Sequence, residues 1–595
     1  MIVPMKKISI IVQSKDADSA ISRLRALGLL HVENQQAPKG KDINALLEDI
    51  ALVNSTTEVL YETKFSQELK VPEDREISDW RFVSRHIIDL GKRFNQLEEY
   101  SINLIDQISD WQAWGDFDPE EIKRLSEKNI FVRLYQIPVK ELKDVPSSVM
   151  LKKISTLRGI ANCVVISREK TGIPFKEVVL PRTSLQKMKA RISEDSRMMD
   201  AIKTEIRRHF CYKQSFERVK KEMEKELEFH QVLRGMGESG NIMYLTGFAP
   251  IDALEKLRQA ALQEQWGLMI REPSQEDNVP TLLKNPRWIA LIKPLLNLLG
   301  ILPGYRELDV NLPLLVFFSI FFGILIGDAG YGLSYFLITL WLQKKKAKVI
   351  NKNVFLLLYV LSSCAIVWGV LTGTFFGQAW LIKRGIRPLV PALNDPVAMQ
   401  TFCFFLGALH LSLAHSWRAL LKLPSVAALA DVGWVCVLWA AFFLARTLIL
   451  GQALPPFVGI LAWCGIALVI FFSNPQKNIL KAIANGLGSV SFGLNFMSTF
   501  TDVVSYVRLF AVGLAAVAIA ETTNAMAANL GTGPVAIIAG IMIVIVGHAL
   551  NIVLGPIAVL VHGVRLNVLE FSGHASITWS GTAYRPFKIP GGKDG

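Results

Sequence analysis

Residues 301–595 contain a run of apolar segments too long and too closely spaced for an ordinary soluble core. Eight can be read: 312–327, 329–343, 354–380, 399–420, 431–450, 455–473, 497–529 and 534–569. A helix crossing a bilayer upright needs about 20 apolar residues. In hydrocarbon the backbone must satisfy its own hydrogen bonds, so each segment is expected to be a helix. The first two are short and meet at Gly327-Asp-Ala-Gly-Tyr-Gly332, which predicts a tight hairpin. The last two exceed the crossing length, which predicts strong tilt.

Charge divides the chain at the same place. Residues 1–300 hold 46 Lys/Arg and 43 Asp/Glu, whereas 301–595 hold 19 and 9. The first half therefore reads as a soluble domain and the second as a membrane domain. Of the net +13, +10 falls in the apolar half, in loops where Lys and Arg set orientation. That placement argues against nucleic-acid binding. No secretory hydrophobic region opens the sequence, so the soluble domain and, after eight spans, the C-terminus are expected in the cytoplasm. The cytoplasmic segments then hold Lys344, Lys345, Lys346, Lys348, Lys352, Arg418, Lys422, Lys477, Lys481, Arg585, Lys588 and Lys593. The opposite side holds Lys383, Arg384 and Arg387. The six cysteines are scattered without a CxxC or Cys/His spacing, so neither disulfides nor a metal site is expected.

In the soluble half, strands at 7–13 and 29–33, a helix near 17–27, and a strand–helix–strand run at 243–271 predict a proximal α/β lobe from 1–40 and 240–275. A second, distal lobe is expected over 130–180, from Phe131–Tyr135 and Ala161–Ile166. Between them, apolar residues recur at three- and four-residue steps over 41–128 and 184–233. These segments predict an outgoing and a returning arm paired as an antiparallel coiled coil. An arm of about fifty helical residues would be roughly 75 Å long. A compact helical bundle is the alternative.

Arg508 lies inside the seventh apolar segment and Arg565 inside the eighth. A guanidinium at membrane depth costs about 2.5–3.5 kcal/mol or more and cannot shed its proton, so it needs a partner, water or a function. On a helical wheel Thr501, Ser505, Val512, Ala515 and Ile519 share the Arg508 face. Asp502 and Glu521 fall roughly 120–140° away, which leaves Arg508 without an obvious partner on its own helix. Asn551, Ala558, His562 and Arg565 form a second stripe within about 60°, flanked by Gly555. Such a stripe can line a half-channel or pack another helix. His562 can relay protons or serve as a core hydrogen-bonder. His548 and Glu570 sit off the stripe, and Glu570 reads as a vestibule or interfacial charge. Asp328 can cap the helix that follows it. Thr372–Gly377 reads as close helix packing, and His410 and His415 as interfacial. No Walker A, HExxH, GxSxG or dinucleotide-binding pattern occurs, so neither ATP hydrolysis nor a cofactor is expected.

The stretches Ser505–Ala511, Phe322–Gly332, Leu371–Gly377 and His562–Leu566 together resemble the stator subunit of rotary V-type ATPases and ATP synthases, called subunit a or subunit I. The resemblance implies a mainly α fold: a cytoplasmic two-lobed α/β domain bridged by an antiparallel coiled coil, then eight transmembrane helices, the last two long and tilted. It implies a non-catalytic, ion-translocating subunit for protons or sodium. Arg508 and Arg565 are its translocation arginines, Ser505, Asn551, His562 and Glu570 line half-channels, and Asp328 is the structural hairpin residue. The partners implied are a rotor ring of carboxylate-bearing hairpins, peripheral stalk subunits of the E/G type, a rotor-cap subunit of the d/C type, and the lipid bilayer. Eukaryotic members carry a His where this chain has Ala516 and a Glu where it has Gly555, which leaves the half-channel lining open. A membrane tether for a cytoplasmic complex and a stand-alone transporter are the competing readings.

Overall fold

The computed structural model describes residues 1–66, 75–145, 149–157, 159–169, 173–347, 349–378, 388–473 and 490–588. The sidedness expected for Lys348, Lys383, Arg384, Arg387, Lys477, Lys481 and Lys593 lies outside the described residues, as do the end of the 354–380 segment and the end of the helical pattern that follows residue 41. The chain forms two compact units, which do not divide at residue 300. One comprises residues 1–9, 29–31 and 247–587; the other comprises 10–28, 32–246 and 588–595.

Among the described residues nine strands form two sheets. Strands β1 (Met5–Gln13), β2 (His31–Glu33), β8 (Ile242–Pro250) and β9 (Gly267–Arg271) run in the order β2-β8-β1-β9, with β7 (Gly237–Ser239) added on β8. The other sheet joins β3 (Phe131–Pro138), β4 (Met150–Leu157), β5 (Ile160–Ser167) and β6 (Lys176–Val178) in the order β4-β5-β3-β6, antiparallel throughout. Its β3–β5 register sets Tyr135 opposite Cys163. Alternate inward side chains, among them Tyr135, Ile137, Ala161, Cys163 and Val165, bury a small core.

The longer helices of the 10–246 unit are α1 (Ala17–Leu27), α2 (Lys41–Tyr61), α3 (Trp80–Gln112), α4 (Leu185–Arg208) and α5 (Lys213–Gly235). The side chain of Asp79 caps α3 and that of Ser184 caps α4. Helices α3 and α4 run antiparallel, with His86 on Glu205 and Arg93 on Met198. Helices α2 and α5 do the same, with Asp42 on Arg234 and Tyr61 on Glu217. The outgoing chain, however, is not one long helix. Asp49 meets Arg81 and Lys64 meets Glu98, so α2 and α3 lie side by side and parallel over these residues. Val53, Leu60, Ile87, Phe94, Ile206 and Phe216 form one core shared by all four helices. Gly91 permits the close approach: an added Cβ would sit 3.0 Å from Val59. The bundle replaces a single strut because the apolar residues of α2 and α3 face each other as well as the returning helices.

The apolar unit contains α6 (Asn311–Ile326), α7 (Ala329–Lys346), α8 (Lys352–Thr372), α9 (Pro396–Lys422), α10 (Ala428–Leu450), α11 (Phe457–Phe472), α12 (Val490–Ser505), α13 (Val507–Ala528) and α14 (Pro534–Ala558). Among the described residues five helical stretches are long and apolar enough to cross a membrane, and the α6–α7 pair, bent by 119°, raises this to six if taken as one span. Helices thus occupy all eight predicted segments, but α11 is short and the first two share one sharply bent unit. The chain is a multi-pass membrane protein. The C-terminal segment adds a brace. Thr281 and Leu302 bridge Ala583 and Ser580, Tyr584 Oη donates to the Leu29 carbonyl, and Phe587 N donates to the Leu30 carbonyl. This bracing carries residues 247–300 into the apolar unit.

Candidate functional site

The α6–α7 bend is organised by one carboxylate. Gly327 ends α6 in the left-handed region at φ +67°. Asp328 is fully buried and its Oδ1 accepts from Gly330 N (2.7 Å), Tyr331 N (3.2 Å) and Phe376 N (2.8 Å), while Oδ2 accepts from Gly377 N (3.1 Å). Thr374 Oγ1 donates to the Gly327 carbonyl at 2.6 Å. Thr372–Gly377 thus ends in a loop that cradles Asp328, and it also packs closely as expected: a Cβ on Gly377 would lie 2.8 Å from Ala520. Asp328 caps α7 and ties it to that loop.

A second buried carboxylate has a different environment. Glu570 Oε1 lies 3.2 Å from Arg508 Nη1 and 3.5 Å from Arg565 Nε. Its Oε2 is buried and accepts no hydrogen bond from the described residues. Arg508 thus has a partner, and it is the glutamate placed off the stripe by the wheel. The helical path explains the error. After α14 the chain continues through two π-helical turns, Val559–Gly563 and Leu566–Phe571. Bonding from i to i+5 brings residues five apart, such as Arg565 and Glu570, onto one face, which a 100° wheel separates. On the opposite strand of contacts, the chain breaks between α12 and α13 at Tyr506, whose side chain is fully buried.

The other predicted residues divide. Ser505 Oγ donates to the Asp502 carbonyl at 2.6 Å. Asn551 Nδ2 donates to the Ala516 carbonyl (2.7 Å) and to Tyr331 Oη (3.1 Å). His548, off the stripe, bridges Tyr331 Oη (2.6 Å) and Asn524 Oδ1 (3.1 Å). His562 is half-buried and makes no hydrogen bond among the described residues.

His410 and His415 are buried, not interfacial. His410 is stacked between Phe317 and Phe571, with ring centroids 3.9 and 4.4 Å away, and its Nδ1 lies 2.8 Å from Tyr506 Oη. His415 belongs to a polar chain that the sequence reading missed. Its Nδ1 faces Asp431 Oδ1 at 3.3 Å, and its Nε2 faces His574 Nδ1 at 2.9 Å. His574 Nε2 then faces Asp502 Oδ2 at 3.1 Å. Lys422 and Arg418 also reach Asp431, at 2.6 and 3.5 Å. With both carboxylates ionised, this chain needs ring protons facing Asp431 and Asp502 and one more between the rings. That is three on four nitrogens, one more than two neutral imidazoles carry. A signal existed in the sequence: Asp431, Asp502 and Glu570 are three of only nine acidic residues in the apolar half. Arg446, a further arginine near the end of α10, bonds Gln452 and was not among the charges assigned to either side.

Two cavities lie near these residues: Arg565 and Glu570 line one, and Leu509 and Phe510, next in sequence to Arg508, line the other. One of 610 Å³ is lined by His415, Arg418, Asp502, Arg565, Glu570 and His574 among others. The other, of 310 Å³, is lined by Gly327, Thr372, Asn394, Leu509, Phe510 and Glu521 among others.

A family model described as the V-type ATPase 116kDa subunit family matches residues 146–367. Over nearly its whole length the chain is 30% identical to V-type ATP synthase subunit I of Borreliella burgdorferi, with 99% of each chain covered. This chain belongs to the V-type ATPase 116 kDa subunit family. It is similar to V-type ATP synthase subunit I 1 of Treponema pallidum, at 29% identity over 99% of this chain and 100% of that one. It is also similar to A-type ATP synthase subunit I of Pyrococcus abyssi, at 27% identity over 79% of this chain and 72% of that one. Membership makes it a membrane subunit of a rotary ATPase. One departure within the 116 kDa subunit family has a packing reason here. A Cβ on Gly555 would lie 2.6 Å from Tyr335 Oη, which donates to the Ile552 carbonyl at 3.0 Å. A glutamate there requires Tyr335 to leave.

Proposed function

We propose that this chain is the stator of a rotary V-type ATPase/ATP synthase, with an ion path for protons or sodium on either side of Arg508. The observation that carries this reading is the convergence of Arg508 and Arg565 on one oxygen of buried Glu570, on the wall of a cavity that Arg565 and Glu570 line. Glu570 keeps Arg508 charged, oriented and compensated in an apolar setting. A rotor carboxylate passing α13 competes with Glu570 for the Arg508 guanidinium. Pairing with Arg508 favours its ionised form and so releases its ion. The same fixed cation bars an ion from crossing directly between the cavities.

The larger cavity serves as the cytoplasmic half-channel, because it opens near Arg418 and Lys422 at the basic end of α9. The His415–His574 pair on its wall supplies a proton-exchanging surface. The smaller cavity, with Glu521, serves the opposite side. Of the residues expected to line half-channels, Glu570 borders the larger cavity, whereas Ser505, Asn551 and His562 line neither. The subunit hydrolyses no ATP itself. Eight helices, with the first two as a hairpin and the last two long and tilted, form the translocation domain. The N-terminal α/β lobes and helical arms lie in the cytoplasm and hold E/G-type peripheral stalks, with a d/C-type rotor cap nearby.

The test is ATP-driven ion uptake into membrane vesicles carrying the assembled complex, wild type against Arg508→Gln. Loss of uptake with assembly intact supports the proposal. Uptake at the wild-type rate makes Arg508 structural and the chain a tether.

A further inference from the structure

We propose that His86, Glu205 and His209 form a binding site for a zinc-class divalent cation that ties α3 to α4. One ligand-capable atom from each residue lies within 4.8 Å of the other two. His86 Nε2 and Glu205 Oε1 are 2.9 Å apart. Zinc holds imidazole nitrogen and carboxylate oxygen at about 2.0–2.2 Å, which sets tetrahedral donors about 3.3 Å apart. Small side-chain rotations therefore close the site without moving either helix.

The local chain prepares this geometry. Glu205 lies in the last turn of α4, His209 caps that helix four residues on, and His86 comes from the antiparallel α3. The rings are held from outside. Phe82 stacks on His86 at 6.5 Å and 4°, and Tyr212 lies 6.0 Å from His209. His209 Nδ1 is buried without a hydrogen-bond partner among the described residues. The side chains of His86 and Glu205 are 41% and 45% exposed, leaving solvent access and a fourth position for water.

Two imidazoles and one carboxylate suit Zn²⁺, Co²⁺ or Ni²⁺ rather than Mg²⁺ or Ca²⁺, which take oxygen donors. Cys211 is close in sequence but its thiol donates to the Arg208 carbonyl at 3.2 Å. Linear spacing does not reveal such a site, because its first and second ligands lie on different arms.

The probe is Zn²⁺ itself, with Co²⁺ as its spectroscopic stand-in, on the full-length protein in detergent after EDTA treatment. Competition with a chromophoric chelator is expected to show one equivalent in wild type that His86→Ala/His209→Ala lacks. Glu205→Gln is expected to weaken it about tenfold, while His415→Ala/His574→Ala retains it. Zn²⁺ should raise the melting temperature of wild type and not that of the His86/His209 double variant. In the unmutated protein, Zn²⁺ should also slow carbethoxylation of His86 and His209, read by mass spectrometry, which covers a variant that fails to fold. Equal zinc stoichiometry and affinity in wild type and double variant, or unprotected His86 and His209, overturns the proposal and leaves a hydrogen-bonded His–Glu pair.

Discussion

Asp328 and Glu570 are both buried carboxylates in the apolar unit, and they are held in opposite ways. Asp328 accepts four backbone N–H groups from two segments and has no cationic partner among the described residues. Glu570 accepts from no backbone N–H among the described residues, shares one oxygen between two arginines and leaves the other free. Backbone donors cannot change partners without unfolding the loop that presents them. Arginine side chains can swing to another anion at the cost of a rotamer. The first arrangement fixes a fold, and the second leaves an exchangeable contact.

The largest expected effect separates the two at once. Asp328→Ala strands four buried N–H groups at about 1–3 kcal/mol each. It should abolish folded protein, seen as lost yield and a collapsed melting transition. Glu570→Gln should behave differently. It removes a charged acceptor worth about 1.5–3 kcal/mol to its partners. The protein should therefore still fold, with a lowered melting temperature, while ATP-driven ion uptake in the assembled complex falls tenfold or more. If Asp328→Ala assembles normally, or if Glu570→Gln leaves uptake intact, the distinction between fixed and exchangeable carboxylates fails.

These two sites also differ in how visible they were in the sequence. Glycines around Asp328 and the apolar segments on either side announced a turn and a cap, although not that Phe376 and Gly377 would supply two of the four donors. Glu570 was misplaced because a uniform 100° wheel does not survive two π-helical turns. Nothing local in the sequence marks where i+4 bonding gives way to i+5. The helices themselves were legible from periodicity: 84–112 was read as helical, and α3 spans Trp80–Gln112. Their pairing was less so. The side-by-side course of α2 and α3 depends on contacts such as Arg81 with Asp49, which periodicity does not encode. His410 and His415 looked interfacial because only a three-dimensional neighbour, Phe571 or His574, can bury or pair them.

A smaller effect tests whether the cavity beside Glu570 exchanges protons. In the His415–His574 chain, removal of His574 breaks the link between Asp431 and Asp502 without touching Arg508. His574→Gln keeps one hydrogen bond of similar reach but cannot carry the extra proton. Uptake by the assembled complex is expected to fall about tenfold, less than the 10²–10⁴-fold typical of a proton-transfer group at a reacting centre, because Arg508 is untouched. Its dependence on pH should change as well. An unchanged rate and profile would leave the chain a structural ion-pair network anchored by Lys422 and Arg418.

The smallest effect comes from Glu307, which resembles Asp328 but stands outside the membrane segments. Its Oε2 accepts from Gly304 N at 2.6 Å, and its Oε1 accepts from Thr578 N at 2.8 Å and Thr578 Oγ1 at 2.5 Å. Partial burial pushes its proton affinity up, but these bonds outweigh burial and hold it below the ordinary value of 4.5. A carboxylate depressed in the folded state stabilises fully above the unfolded-chain pKa, and the contribution is lost as pH falls through the folded value. Glu307→Gln should therefore cost about 1 kcal/mol at pH 7 and progressively less as pH falls below 4.5. Melting curves of the two proteins across that range should converge on acidification. Curves that stay parallel would mean that the Glu307 charge adds nothing and that shape alone anchors the C-terminal segment, removing the rule that backbone-held carboxylates fix this fold.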